Sequence, residues 1–367
     1  MRTESDRLGV LTDHHCHGLV TTDLDREGFE ALMNEAPHAS PLGTSLFDSM
    51  LGLAIRRHCA PVLDLEPLAP ADAYLARRRE LGAAEVNRRF LTAAGIGTFL
   101  VDTGLDGPGG TALTTPAELA GLADGDAYQV VRLERVVEEV LRREETDDVP
   151  GAVEDRLRTS GAIAAKSIAA YRVGLDLPAE KPGPDAVVAA LRGADPQRVA
   201  DRTVSGWLAH TALEIGLPLQ LHTGYGDPDL DLLAADPLHL TPFLRGTQDL
   251  GVPVLMLHTY PFHRHAAYLA QVFDHAFMDL GLAVHNTGAL AVGPIRETLE
   301  LVPFGSLLFS TDAYGLAELY LLGALLFRRG FGGVMDDLLA AGDLTADDAA
   351  HLAGLVARDN AARVYGL

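Results

Sequence analysis

Eight short apolar runs, each set apart from the next by a longer segment, constrain this chain more than any other feature. They fall at residues 10–17, 98–103, 127–133, 162–169, 217–223, 252–259, 276–280 and 307–311. Runs of this length suit strands buried on both faces. Intervening segments such as 135–143 and 201–215 carry Val, Leu or Ala at helical spacing opposite charged residues, the pattern of helices with one face on a core. Alternating strand and helix predicts a parallel sheet covered by helices, and eight repeats predict an α/β fold closed as a (β/α)8 TIM barrel. A chain of 367 residues fits one such barrel as a single domain over 1–367. The segment 19–95, between the first two runs, is far longer than a barrel connection needs. Its helical patches at 46–55 and 71–94 predict a helical insertion over the barrel mouth. The connection 172–196 contains Pro178, Pro182, Gly183 and Pro184 and reads as a loop with room for a short helix.

Charge and cysteine content narrow the function classes. A formal net charge of -22 opposes binding to phosphate backbones, which depends on clustered Lys and Arg, so no nucleic acid partner is expected. The longer apolar stretches are broken by polar residues before the ~20 needed to cross a bilayer, so no membrane partner is expected either. The chain start runs directly into the first histidine motif, which predicts no cleavable signal. With only Cys16 and Cys59 available, a disulfide framework is ruled out and a reducing, cytoplasmic compartment is expected. A small molecule is the expected partner, and a homo-oligomer remains open.

His15 and His17 stand two apart in the first run, and period-two geometry sends both to one side of a strand, where they can share a divalent cation such as Zn, Mn or Fe. Asp13 shares that side, as a hydrogen-bonded carboxylate or a support for the ligands. Three further runs, PLQLHTG, PVLMLHT and LLFSTDA, end in a potential ligand at His222, His258 and Asp312. Barrel enzymes draw their chemistry from several strand ends at once. Lys166 sits among small apolar neighbours in AIAAKSIAAY, in a chain with just one other lysine, Lys181. Since Arg is the general cation here, a primary amine at this position suggests a requirement that guanidinium cannot meet. The amine can form a carbamate and bridge metals, stay an ammonium beside substrate, or pair with a buried carboxylate.

The ordered set of HxH, Lys166, His222, His258 and Asp312 resembles the amidohydrolase superfamily. The stretches DHHCHG, AKSIAAYRVGL, LQLHTGYGD, LHTYPF and STDA look like its amidohydrolase-2 branch, as found in the nodulin-like half of FluG-type proteins. The resemblance implies a primary metal site at His15, His17, His222 and Asp312, with Lys166 and His258 completing a second site or facing substrate. It leaves one or two ions open. It also implies hydrolysis of an amide or related C–N bond, because a bound cation lowers the pKa of water from 15.7 toward about 7. Asp312 is then expected to move the proton and His258 to help polarise the carbonyl. Some members of this branch decarboxylate instead, and a catalytically idle metabolite-binding barrel is a third reading.

For substrate, Arg172, Tyr225 and Asp227 follow the fourth and fifth runs and are expected at the mouth. Arg172 can grip a carboxylate, which suggests a γ-glutamyl or N-acyl compound. Arg132 and Glu134 read more simply as members of salt bridges. His263 and His265 fall at a helix start, where i and i+2 diverge, and are expected not to be ligands. His285 reads equally as a pocket or a loop residue. Cys16 points away from the histidine pair and is expected as a packed thiol.

Overall fold

The structure, a computed structural model, describes residues 8–36, 42–143 and 148–367. Seven parallel strands, β1 (Leu11–Cys16), β2 (Ile96–Asp102), β3 (Asp126–Arg132), β4 (Ala164–Ser167), β5 (Leu219–His222), β6 (Val254–Leu257) and β7 (Ala276–Met278), pair in sequence order around a curled sheet. Helices flank it, giving a TIM-barrel-like α/β fold.

The eighth expected strand is corrected. Residues 307–311 form no ladder; they make one parallel bridge, Met278 with Leu307. The run nevertheless bonds to both neighbours, through Leu308 N to Met278 O at 3.0 Å and His14 N to Phe309 O at 3.1 Å. Side-chain chemistry explains the lost ladder. Asp13 on β1 takes the Thr311 N–H at 2.9 Å with one oxygen and the Thr311 hydroxyl at 2.5 Å with the other. Asp312 then turns to a left-handed φ of 52°, which ends extended pairing.

Period-two alternation divides the apolar side chains. On β2, Phe99 and Val101 join the large core cluster, while Leu100 joins a smaller one with Val130, Ala164, Leu255, Leu257, Phe277 and Leu308. Ala361, Val364 and Tyr365 of the helix Asn360–Tyr365 belong to that smaller cluster. Cys16 and Cys59 are buried free thiols, with Cys16 Sγ 3.5 Å from Leu100 O.

Outside the sheet, Leu133–Arg143 buries Val136, Val137 and Val140 along one face, and Asp201 caps Arg202–Ile215 by accepting from Thr203 N and Val204 N. Between β1 and β2 lie the helices Arg26–Ala31, Met50–Ala54, Ala71–Leu81 and Ala83–Ala94. Arg78 and Tyr74 both bond Glu318 Oε1, at 2.9 and 2.8 Å, fastening this region to the long helix Ala317–Ala341 that follows Asp312. The connection 172–196 contains the helix Pro184–Arg192. No helix among the described residues is long and apolar enough to cross a membrane.

Candidate metal centre

At the C-terminal ends of the strands opens a cavity of about 610 Å³, lined among others by His17, Lys166, His222, His258 and Asp312. β1 directs His15 and His17 toward it. His15 Nδ1 lies 2.8 Å from Gln220 Oε1. The Gln220 amide nitrogen donates to His14 O at 2.7 Å and contacts the Tyr365 hydroxyl at 2.9 Å, so the assignment of its oxygen follows from the network. That oxygen can only accept, which places the His15 proton on Nδ1. His17 Nδ1 faces the Asp102 carbonyl at 3.2 Å, with the same consequence.

In the neutral form of each ring the Nε2 atom carries the lone pair, and both Nε2 atoms face one carboxylate oxygen, Asp312 Oδ1, at 3.1 Å from His15 and 3.2 Å from His17. Two nitrogen lone pairs against a carboxylate oxygen repel each other unless a cation lies among them. Burial and the nearby Lys166 push His15 down to about 4, so protonation of its ring does not supply that cation at neutral pH, and the Lys166 amine bonds His15 Nε2 but not His17. The donor atoms of His15, His17 and Asp312 lie within 4.8 Å of one another, and an N,N,O set suits a divalent metal.

Around this trio stand the other strand-end groups. His258 Nδ1 is 3.4 Å from Asp312 Oδ2. Neither His258 Nδ1 nor His222 Nε2 has a hydrogen-bond partner despite full burial, and such orphans are rare unless a ligand serves them. Burial and Lys166 push His222 down to about 3, and burial holds His258 well below its usual range although Asp312 opposes it. Both imidazoles are therefore neutral, the form that binds metal. Lys166 Nζ lies 3.2 Å from His15 Nε2. Burial pushes this amine down to about 8, against the attraction of Asp312 and Asp102.

Local backbone conformations aim these groups. His258 and Thr259 have φ of 68° and 54°; the turn is held by Asp279 Oδ1, which accepts the His258 N–H at 2.8 Å. Left-handed backbone at a non-glycine residue is uncommon and gathers at functional sites. Gly224, with φ of 75°, lets the chain leave β5 against β6, since a Cβ there would stand 2.2 Å from Tyr260 O.

The structure brings together all six strand-end residues singled out in the sequence. Arg172 and Asp227 line the cavity, whereas Tyr225 is not among its lining residues; the Tyr225 hydroxyl accepts from Asn286, which is. Arg132 binds Asp102 at 2.5 Å, and Glu134 accepts from Ser167 and Ile168 at 2.7 and 3.1 Å. His263 and His265 bond Glu297 and Asp236 away from the cavity, and His285 lines the cavity. Sequence reasoning missed Gln220, Asp279, Tyr365 and Glu35. Gln220 was findable, being two residues before His222 on one strand.

A parallel, TIM-barrel-like sheet with a His, His, Asp donor set at its strand ends defines a candidate metal-binding barrel. The chain is similar to FluG, being 32% identical to the protein fluG of Emericella nidulans over 233 residues, 59% of this chain. The FluG-type resemblance read from the motifs is thus borne out. The match spans 27% of that relative's length, so the chain corresponds to about a quarter of it. No protein-family model matches. A candidate metal-dependent hydrolase from Lactobacillus casei ATCC 334 superposes with a TM-score of 0.84 at 25% identity, covering 98% of this chain and 95% of its own. A uronate isomerase from Thermotoga maritima shares the fold, with a TM-score of 0.64 at 12% identity, over 100% of this chain and 98% of its own. Donor set and relatives together support an enzyme that uses a divalent metal.

Proposed function

We propose that this protein is a metal-dependent amidohydrolase that cleaves an amide or related C–N bond of a small carboxylated substrate, a γ-glutamyl or N-acyl compound. The observation that carries this reading is the approach of two lone-pair-bearing imidazole nitrogens to Asp312 Oδ1, at 3.1 and 3.2 Å. His15, His17, His222 and Asp312 would hold the primary ion, with zinc the expected metal and manganese or iron the alternatives. Lys166, as a carbamate, and His258 would hold a second ion or face the substrate. When bound, the cation supplies Lewis acidity, lowering the pKa of water toward about 7 and polarising a carbonyl.

The chain's own residues do the rest. Asp312 takes the proton of the attacking water and returns it to the leaving amine. Arg172, which lines the cavity and whose Nε is buried without a partner, binds the substrate carboxylate. Asp227 and Tyr225 complete the substrate's surroundings, Tyr225 by holding Asn286 at the cavity wall. The whole chain, 1–367, acts as one barrel domain in the cytoplasm, with the region 19–95 covering the mouth.

One contact favours a second reading. Lys166 Nζ at 3.2 Å from His15 Nε2 suits a free amine, and a single ion beside a free Lys166 would favour nonoxidative decarboxylation. Metal-loaded protein screened against N-acyl and γ-glutamyl amino acids and against aromatic or vinylogous carboxylic acids separates the two. Release of amine and acid supports hydrolysis; release of carbon dioxide without amine overturns it.

A further inference from the structure

We propose that Glu35 reads a free ammonium on the substrate, so that the cavity takes an amino-acid head with its amine unblocked and rejects N-acylated amino acids. The proposal rests on the reading of this cavity as an amidohydrolase substrate site and decides between the two substrate classes left open there.

Glu35 lies just beyond the helix Arg26–Ala31, in the stretch from Ala31 to Ala36 that lines the cavity. Burial, then the negative charges of Asp312 and Asp227, push its carboxyl up to about 7; a divalent cation on Asp312 would offset the first of these charges and leave Asp227 as the like-charged neighbour. No Lys or Arg is among the charges that bear on it. Like-charged carboxylates around a shared cavity are relieved by a cation placed among them, and an alkylammonium brings three donors with its charge.

Arg172 and Arg198 also line this cavity. Arg198 is engaged with Asp229 at 3.1 Å and the Tyr171 carbonyl at 2.9 Å. Arg172 reaches Glu138 only at 3.4 Å and keeps its buried Nε unpaired. The unpaired Arg172 Nε and the Glu35 carboxyl, both on this cavity, complement a carboxylate and an ammonium on one small molecule. His285 gives an independent sign of a polar ligand: it lines the same cavity, is 1% exposed, and its Nδ1 has no partner. An N-acyl group would replace the ammonium with an uncharged amide carrying a single N–H, leaving Glu35 uncompensated, whereas Asp227 already feels Arg198 and Arg172.

Calorimetric titration of the metal-loaded protein with two matched pairs, L-glutamate against glutarate and L-aspartate against succinate, isolates the ammonium. None of the four contains an amide to hydrolyse. In at least one pair the amino acid should bind at least about tenfold more tightly, the scale of a charge-assisted hydrogen bond. Glu35→Gln should bring that pair to within about twofold without weakening the diacid, and Glu35→Asp should retain part of the preference. Lack of preference in both pairs, failure of all four to bind, or a preference that survives Glu35→Gln overturns the proposal. Turnover of N-acyl amino acids without any preference for a free amine would sink this proposal and leave the amidohydrolase reading standing. An intact preference without hydrolysis of any amide would do the reverse.

Discussion

Lys166 Nζ stands 3.2 Å from His15 Nε2, the same nitrogen that faces Asp312 Oδ1 at 3.1 Å. An amine in this place can donate to the imidazole lone pair or, once carbamylated, present two oxygens to metal. A guanidinium does neither in the same geometry and never loses its charge. Lys166→Arg is therefore expected to fold yet lose turnover by at least about 10²-fold. Thermal unfolding, metal content and kcat on one preparation check this; near-normal kcat would remove Lys166 from the chemistry.

Gln220 sets the His15 tautomer by accepting from Nδ1 at 2.8 Å while its own amide nitrogen is held by His14 O. Gln220→Leu should weaken metal binding by about 10- to 100-fold, the usual cost of removing the partner of a ligating histidine. Gln220→Glu keeps an acceptor opposite Nδ1 and should recover part of the affinity. Competition with a chelator of known affinity measures both, and equal affinity in wild type and Gln220→Leu would contradict the tautomer assignment.

Asp312→Asn keeps the size of the side chain but removes the proton acceptor. Turnover should fall by at least about 10²-fold, mainly in kcat. Because Asp312 is itself a proposed ligand, occupancy and kcat have to be read on one sample. A fully metallated variant with near-normal kcat would contradict the proton shuttle and leave the barrel and the histidines in place.

Much of this was legible beforehand because strand periodicity is rigid. HxH on β1 and the ligands ending β5 and β6 follow from alternation and from apolar runs that stop at a polar residue, and Lys166 stood out through the scarcity of lysine. What was illegible depends on side chains from distant segments. Residues 307–311 have a strand's composition, yet Asp13, nearly 300 positions away, captures the Thr311 amide, and nothing local signals that. Tyr365 reaches His14 and Gln220 from a helix packed against the inner apolar cluster. Glu35 lies in a segment without periodicity, so only the folded chain shows that it faces the cavity.

The ion pair of Asp102 with Arg132, 2.5 Å apart with Asp102 fully buried, gives a pH dependence. Burial raises the Asp102 carboxyl, but the Arg132 guanidinium outweighs it and holds it well below its usual range. A depressed folded pKa contributes stability that is present above the unfolded value, near 3.8, and is lost as pH falls through the folded value. The melting temperature of the wild type should therefore fall steeply on the acid side. Asp102→Asn should lower stability at neutral pH by roughly 3–5 kcal/mol, the cost of stranding a buried charge, and flatten the acid limb. An unchanged acid limb would show that other carboxylates set it.

The central claim is that His15, His17 and Asp312 converge in order to hold a divalent cation. Titration of zinc into chelator-stripped protein, followed by calorimetry and by elemental analysis after gel filtration, tests it most directly. Wild type should bind at least one equivalent tightly, and His15→Ala and His222→Ala should each lose affinity or stoichiometry while melting cooperatively. Wild type that retains no zinc, manganese or iron after gel filtration, or both variants binding with unchanged stoichiometry and affinity, would contradict it.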